Sequence, residues 1–129
     1  MTDFSSALGI AASGMRSQAD RLRHVSENIA NADTPGYRRK VVSFEPLRDP
    51  ATEGGVRTGR VTLDQSPLPQ IHDPGHPMAD AEGNYLGTNV NLVVEIADAR
   101  EAQRSYEANL RVFDQIRQMS SSLNDLLRR

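Results

Sequence analysis

The sequence predicts a mainly α-helical chain with a small β insert. Two long terminal helices pair as an antiparallel coiled coil, joined by a Pro/Gly-rich segment that carries short β ribbons. Three observations predict this. All seven prolines lie between Pro35 and Pro77, so both ends are free of the strongest helix breaker. Apolar residues recur at heptad spacing in both ends. Only 5% of the 129 residues are aromatic and none is Trp, which leaves little large apolar side chain for a deep, self-contained core. A chain of this length fits one domain. It divides into residues 1–34, 35–88 and 89–129, the two helical ends together building one unit.

In the first segment Leu8, Met15, Leu22 and Ile29 recur every seven residues. Ala11, Val25 and Ala32 take most of the complementary positions and Gln18 interrupts them. This is an a/d seam rather than the broad stripe of a globular helix. Thr2 or Asp3 can cap its start.

The helix meets a stop in "SENIANADTPGYRRK", residues 26–40. Pro35 disfavours the α conformation at Thr34, so the helix ends by Asp33 or earlier. Thr34-Pro35-Gly36-Tyr37 then matches a type II turn, with Pro at the second position and Gly supplying positive φ at the third. The cations Arg38, Arg39 and Lys40 that follow are expected to form a partner-facing patch.

The middle is read as short strands and turns. Val42 and Phe44 alternate with polar neighbours, as do Val61 and Leu63, which suggests small β ribbons. Residues 46–55 read as a mobile loop. A two-stranded ribbon is marginal alone, so this region is expected to order against something else.

In the last segment Leu92, Ile96, Ala99, Tyr106, Leu110, Phe113, Ile116, Leu123 and Leu127 follow three- and four-residue steps, with Gln103, Asn109 and Ser120 as polar breaks. Asn89 or Asn91 can cap the helix. Glu95 and Asp98 suit its early turns, and Arg128 and Arg129 suit its end. The charged positions Asp98, Arg100, Glu101, Glu107 and Arg111 read as a mixed-charge exterior.

The net charge of −2 argues against a generic nucleic-acid binder. Residues 41–88 hold three basic and seven acidic groups, so the acidic part is the middle. Without Cys there are neither disulfides nor thiolate metal sites. No apolar run approaches a membrane span, so no direct membrane insertion is expected. The N-terminus lacks the basic and apolar regions of a cleavable signal peptide. His72 and His76 stand four apart, but Pro74 and Pro77 forbid the helix that would pair them, so they are read as loop histidines. Asp73, Asp80 and Glu82 lack the spacing of a calcium loop and are read as turn formers. There is no nucleophile elbow and no phosphate loop. No catalytic constellation is found, and no enzyme, cofactor or metal is expected.

A seam needs a facing helix. Two helices with Ala-rich seams (Ala7, Ala11, Ala12, Ala19, Ala97, Ala99, Ala102) bury little: at roughly 25 cal/mol per Å² such a hairpin about breaks even against ordering entropy. The composition therefore predicts assembly with other copies or homologous subunits.

The residues from Ala7 to Lys40 also resemble the N-terminal signature of the flagellar rod, hook and hook-associated axial family. There a helix with small residues runs into an Asn-Ile-Ala-Asn-x-x-Thr-Pro-Gly-Tyr-Arg stop. It is matched here by Asn28, Ile29, Ala30, Asn31, Thr34, Pro35, Gly36, Tyr37 and Arg38. The segment "HDPGHPMADAEGNYLGTNVNLVVEIADAREAQRSYEANLRVFDQIRQM" looks like the flagellar basal-body rod proteins of proximal rod type. Asp73, Pro74, His76, Pro77, Asn89, Asn91, Glu95, Arg104, Ser105, Tyr106 and Asn109 are among the residues that carry that likeness. Asn84 and the Ile96–Ala99 run depart from the pattern.

The resemblance implies a structural subunit of the proximal rod in the basal body. It would be exported by the flagellar type III system without a cleaved signal and assembled helically in the periplasm into a torque-transmitting shaft around the export channel. The implied partners are copies of itself, other flagellar rod proteins and the ring-to-rod adaptor, with the export gate and the MS ring as further candidates. Nucleic acid is not among them. The alternatives are another short axial rod homologue or a coiled-coil adaptor protein.

Overall fold

A computed structural model describes residues 2–50 and 53–129. Helix α1 spans Thr2–Ala30 and helix α2 spans Leu92–Leu127, and six short strands lie between them. The strands are β1 (Lys40–Val41), β2 (Phe44–Pro46), β3 (Val56–Thr58), β4 (Thr62–Leu63), β5 (Gln70–His72) and β6 (Asn84–Leu86). They pair antiparallel as β1 with β4, β2 with β3 and β5 with β6. The first two pairs are nested in one arm. Val42 and Val61, expected in strands, lie in the break between the two pairs.

Both helix limits have local causes. Because α1 already begins at Thr2, Asp3 lies inside its first turn and is not a cap. At its far end Thr34 to Tyr37 close a turn through a 3.2 Å bond from Tyr37 N–H to Thr34 O, with Gly36 at φ 77°. Helix α2 is capped by Asn91, whose side chain accepts from the N–H groups of Val93 and Val94. Asn89, the other cap candidate, is used elsewhere.

The helices pack along each other with contacts in opposed order. Late α1 meets early α2 at Asn28 and Glu95, 3.3 Å apart. A Cβ added to Gly14 would lie 2.9 Å from the Asn109 side chain. By that register the start of α1 falls opposite residue 121, and Phe4 shares an open hollow with Met119, Ser122, Leu123 and Leu126 of α2.

Another side of α1 holds the β arm. Ser13 Oγ accepts from Val56 N–H at 3.0 Å, and Thr58 Oγ donates to Asp20 Oδ2 at 2.9 Å. This is the support that a marginal ribbon requires. The expected mobile loop is clasped at its base, where Leu47 N–H donates to Gly55 O at 2.9 Å. Its residues 51 and 52 lie outside the described residues.

The core is thin. Among the described residues the buried hydrophobic side chains are Ala11, Val25 and Ala102, while Asn28 and Glu95 are the largest fully buried ones. The accessible surface is 8953 Å², against about 6800 Å² for a compact monomer of this mass.

Candidate functional site

The densest chemistry lies where α1 ends, β1 begins and α2 begins. Asn28 and Glu95 are both 0% exposed there. Asn28 uses its whole amide. Its Nδ2 donates to Lys40 O at 3.0 Å and Glu95 Oε2 at 3.3 Å, and its Oδ1 accepts from Tyr37 Oη at 2.9 Å and Lys40 N–H at 2.8 Å. The end of α1 is thereby stitched to the chain after the turn. Asn31 Nδ2 donates to Glu27 O, Thr34 Oγ donates to Asn31 Oδ1, and Gly36 N–H reaches the carbonyls of Leu86 and Gly87.

Glu95 needs a counter-charge, because an unpaired buried carboxylate is strongly disfavoured. Arg39 supplies it: its Nε donates to Glu95 Oε1 at 2.6 Å, while its terminal nitrogens lie 3.5 Å from Asp64 and 3.6 Å from Asp98. Burial works against the Arg39 charge, but the bonds to Glu95 and Asp64 outweigh it, and its pKa is raised. Asp64 is held below the usual carboxylate range, first by hydrogen bonds from Ser66 and then by Arg39. Asn89 closes the ring, its Oδ1 accepting from Arg39 N–H at 2.7 Å and its Nδ2 donating to Asp64 O at 2.9 Å.

The expected partner-facing patch is therefore corrected. Arg38 donates to the carbonyls of Asp64 and Ser66, Arg39 enters the ring just described, and Lys40 pairs with Glu27 at 2.6 Å. That pairing lowers the pKa of Glu27 and raises that of Lys40. All three cations bind their own chain. Asp98, read as exterior, is half-buried and meets Arg21 at 3.4 Å, whereas Glu101 keeps its exposed place and reaches Arg21 at 3.5 Å.

Of the motif residues, the structure brings Asn28, Tyr37, Arg38, Asn89 and Glu95 to this junction and leaves Arg104 exposed on α2. Ser105 and Tyr106 are half-buried, and Asn109 packs on Gly14. Among the α1 seam positions Ala11 and Val25 are buried, Leu8, Met15 and Leu22 are half-buried and Ile29 is exposed. On α2 the seam positions Ala99, Tyr106, Phe113 and Ile116 are half-buried, whereas Leu92, Ile96, Leu110 and Leu123 are exposed. The α2 side turned to α1 carries Glu95, Ala102 and Asn109 between those half-buried positions, and Tyr106 and Phe113 share a hollow with Ala12, Met15 and Ala19 of α1.

The turn roles of Asp73 and Asp80 hold, with Asp73 accepting from Gly75 N–H and Asp80 from the N–H groups of Glu82 and Asn84. His76 stacks on Tyr85 with ring centroids 3.9 Å apart, and His72 bonds Asn84. Sequence reasoning missed Glu95 as a buried ion and His24 as a buried ring. The one signal for Glu95 was its place in the Asn-Val-Asn-x-x-x-Glu run. Among the described residues no three His, Asp or Glu side chains are grouped to hold a metal, and no helix is long and apolar enough to cross a membrane. Saturated pairs and amides of this kind fix geometry.

Comparison with known proteins follows the same residues. Residues 8–38 match the family described as flagella basal body rod protein, and residues 81–126 match the family described as flagellar basal body rod FlgEFG protein C-terminal. The chain is 45% identical to the flagellar basal-body rod protein FlgC of Agrobacterium fabrum, over 99% of this chain and 98% of the relative. It is 37% identical to FlgC of an Escherichia coli O6:H1 strain and 36% identical to that of Salmonella typhimurium. Each of those two alignments covers 85% of this chain and 87% of the relative.

Proposed function

Since the chain belongs to the flagellar basal-body rod protein family, we propose that it is the proximal rod subunit and polymerises through its two ends. It is a structural, non-enzymatic component of the flagellar basal body. Residues 1–34 and 89–129 act as polymerisation helices, pairing within the subunit as an antiparallel coiled coil, and residues 35–88 form the outward insert. Leu8, Ala11, Met15, Leu22, Val25 and Ile29 of α1 belong to the subunit contacts. So do Leu92, Ile96, Ala99, Tyr106, Leu110, Phe113, Ile116 and Leu123 of α2. Copies and homologous rod subunits stack helically around the export channel and transmit torque. The chain reaches the periplasm by type III export without a cleaved signal and meets the ring-to-rod adaptor, the export gate and the MS ring there.

The observation that carries this reading is the mismatch between a core of Ala11, Val25 and Ala102 and the apolar surface left open on α2. There Ile96 is 45% and Leu123 40% exposed. Exposed apolar surface of that extent marks an interaction site. Ile96→Asp and Leu123→Asp are expected to keep the helix content of the purified chain, because both sites already face water. The same variants are expected to be missing from isolated basal bodies and to abolish swimming. Normal incorporation and motility of both would overturn the assignment.

A further inference from the structure

Ser13 and Asp20 hold the β arm on one side of α1. On another side Ala12, Met15, Arg16 and Ala19 line an open hollow of about 290 Å³, and Tyr106 and Phe113 of α2 form its far wall. The four α1 positions are i, i+3, i+4 and i+7, the diamond of residues that receives one knob in coiled-coil packing. Tyr106 and Phe113 stand seven apart, so their wall keeps the same repeat. The hole is bordered by α2 rather than filled by it, and so suits a knob from a third helix.

The far half of α2 carries a row of such knobs. Val112, Ile116, Met119, Leu123 and Leu126 follow steps of four, three, four and three, the repeat of an a/d seam. Val112, Met119 and Leu126 are 48%, 56% and 66% exposed. Phe4 borders the last three members of the row without closing them off. The other open face of α2, with Leu92, Ile96, Gln103, Leu110 and Arg117, is broken by two polar residues. The row cannot turn into its own chain's hole, because Val112 and Phe113 are adjacent and so about 100° apart around one helix. We propose that the hole takes Met119 of a second copy of the chain, with Ile116 and Leu123 of that copy closing over its rim. Methionine fits an irregular gap, and its thioether sulfur suits the Tyr106 and Phe113 rings. Gln115 and Gln118 lie in the same hollow as Met119, and their amide oxygens can accept from Arg16. Hole and row are different surfaces of one chain, so the contact is head-to-tail and repeats as an open helical stack. The proposal rests on the rod reading and names which faces meet.

The chain has no Cys, so a disulfide between introduced cysteines reports one contact. An Ala19→Cys chain is co-expressed with a Met119→Cys chain in cells lacking the native copy, and isolated basal bodies are oxidised. The control replaces the second chain by Ser121→Cys, which lies on the opposite side of α2. The Met119→Cys mixture is expected to give a dimer well above that control. Ala19 is exposed in the subunit, so Ala19→Leu fills the hole without disturbing the isolated chain. It should lower incorporation into basal bodies about tenfold, the worth of a modest overpacking penalty, and Met119→Ala in the same chain should restore it. Basal bodies that hold both cysteine chains and give no more dimer than the control would overturn this contact and leave the rod reading standing. So would a stronger dimer from the Met119→Cys chain alone, which would pair the rows with each other, and so would unchanged incorporation of the Ala19→Leu chain. A native chain absent from basal bodies would overturn the rod reading and the contact with it.

Discussion

Where α1 hands over to the turn, Asn28 and Glu95 are fully buried and their polar atoms are bonded to Tyr37, Arg39 and Lys40. At the opposite end of the helix pair, Leu126 and Leu127 are 66% and 73% exposed. One end is a joint completed inside the chain; the other is apolar surface that the described residues leave largely open. The first sets the direction in which the insert leaves the helices, because directional bonds at about 2.6–3.3 Å leave the backbone little choice. The second is non-directional and accepts whatever apolar surface arrives. A subunit that must hold one shape and still bind neighbours can divide the two tasks in this way.

Removing Arg39 is the strongest way to break that contrast. Arg39→Ala leaves Glu95 buried with only Asn28 as donor, and stranding a buried charge costs about 3–5 kcal/mol. The expected result in urea denaturation followed by circular dichroism is loss of most of the cooperative transition. Arg39→Met together with Glu95→Gln should recover much of it, because the charge is then gone and the amide can still bond. A single-variant loss below about 1 kcal/mol would show that water reaches Glu95 and that the joint is not dry.

The parts legible in the sequence were those encoded locally. The stop at Pro35, the left-handed Gly36 and the Asn91 cap each depend on residues within a few positions, and each appears as expected. The joint itself was not legible. Arg39 meets Glu95 across 56 residues and Asn28 meets Glu95 across 67, and no local period records such pairs. For the same reason Arg38, Arg39 and Lys40 looked like an outward patch: their neutralising partners lie at Glu27, Asp64 and Glu95, out of local view. The helix seams show a subtler limit. Heptad spacing is visible in α2, and Ala99, Tyr106, Phe113 and Ile116 are half-buried, but the fully buried positions beside them are Glu95 and Ala102, while Leu92, Ile96, Leu110 and Leu123 stay exposed. Periodicity identifies apolar faces without saying which of two faces a given partner covers.

Midway between the two ends, Gly14→Ala sharpens the comparison with a smaller effect. The new Cβ would lie 2.9 Å from Asn109 Nδ2 and 3.1 Å from its Cγ, so the helices must part or the amide must turn. Helix propensity favours Ala by about 1 kcal/mol, whereas overpacking costs about 1–3 kcal/mol. The expected balance is a loss of about 1 kcal/mol in the unfolding free energy from urea denaturation. Adding Asn109→Ala removes the obstruction and should turn the loss into a gain of about 0.5–1 kcal/mol. A gain from Gly14→Ala alone would mean that the helices do not approach closely here.

The smallest expected effect on the isolated chain comes from the open end. Leu126 is 66% exposed, so Leu126→Asp removes almost no burial that the subunit makes by itself. Surface substitutions of this kind stay within about 0.5 kcal/mol. Urea unfolding of the purified variant should therefore match that of the parent chain, while co-sedimentation with basal bodies should fall. The joint variants show the reverse order, with stability lost first and assembly lost only as a consequence. If Leu126→Asp instead destabilised the isolated chain by 2 kcal/mol or more (about the cost of losing a buried side chain), the end of α2 would already be covered within the subunit, and the division between a closed joint and an open end would be wrong.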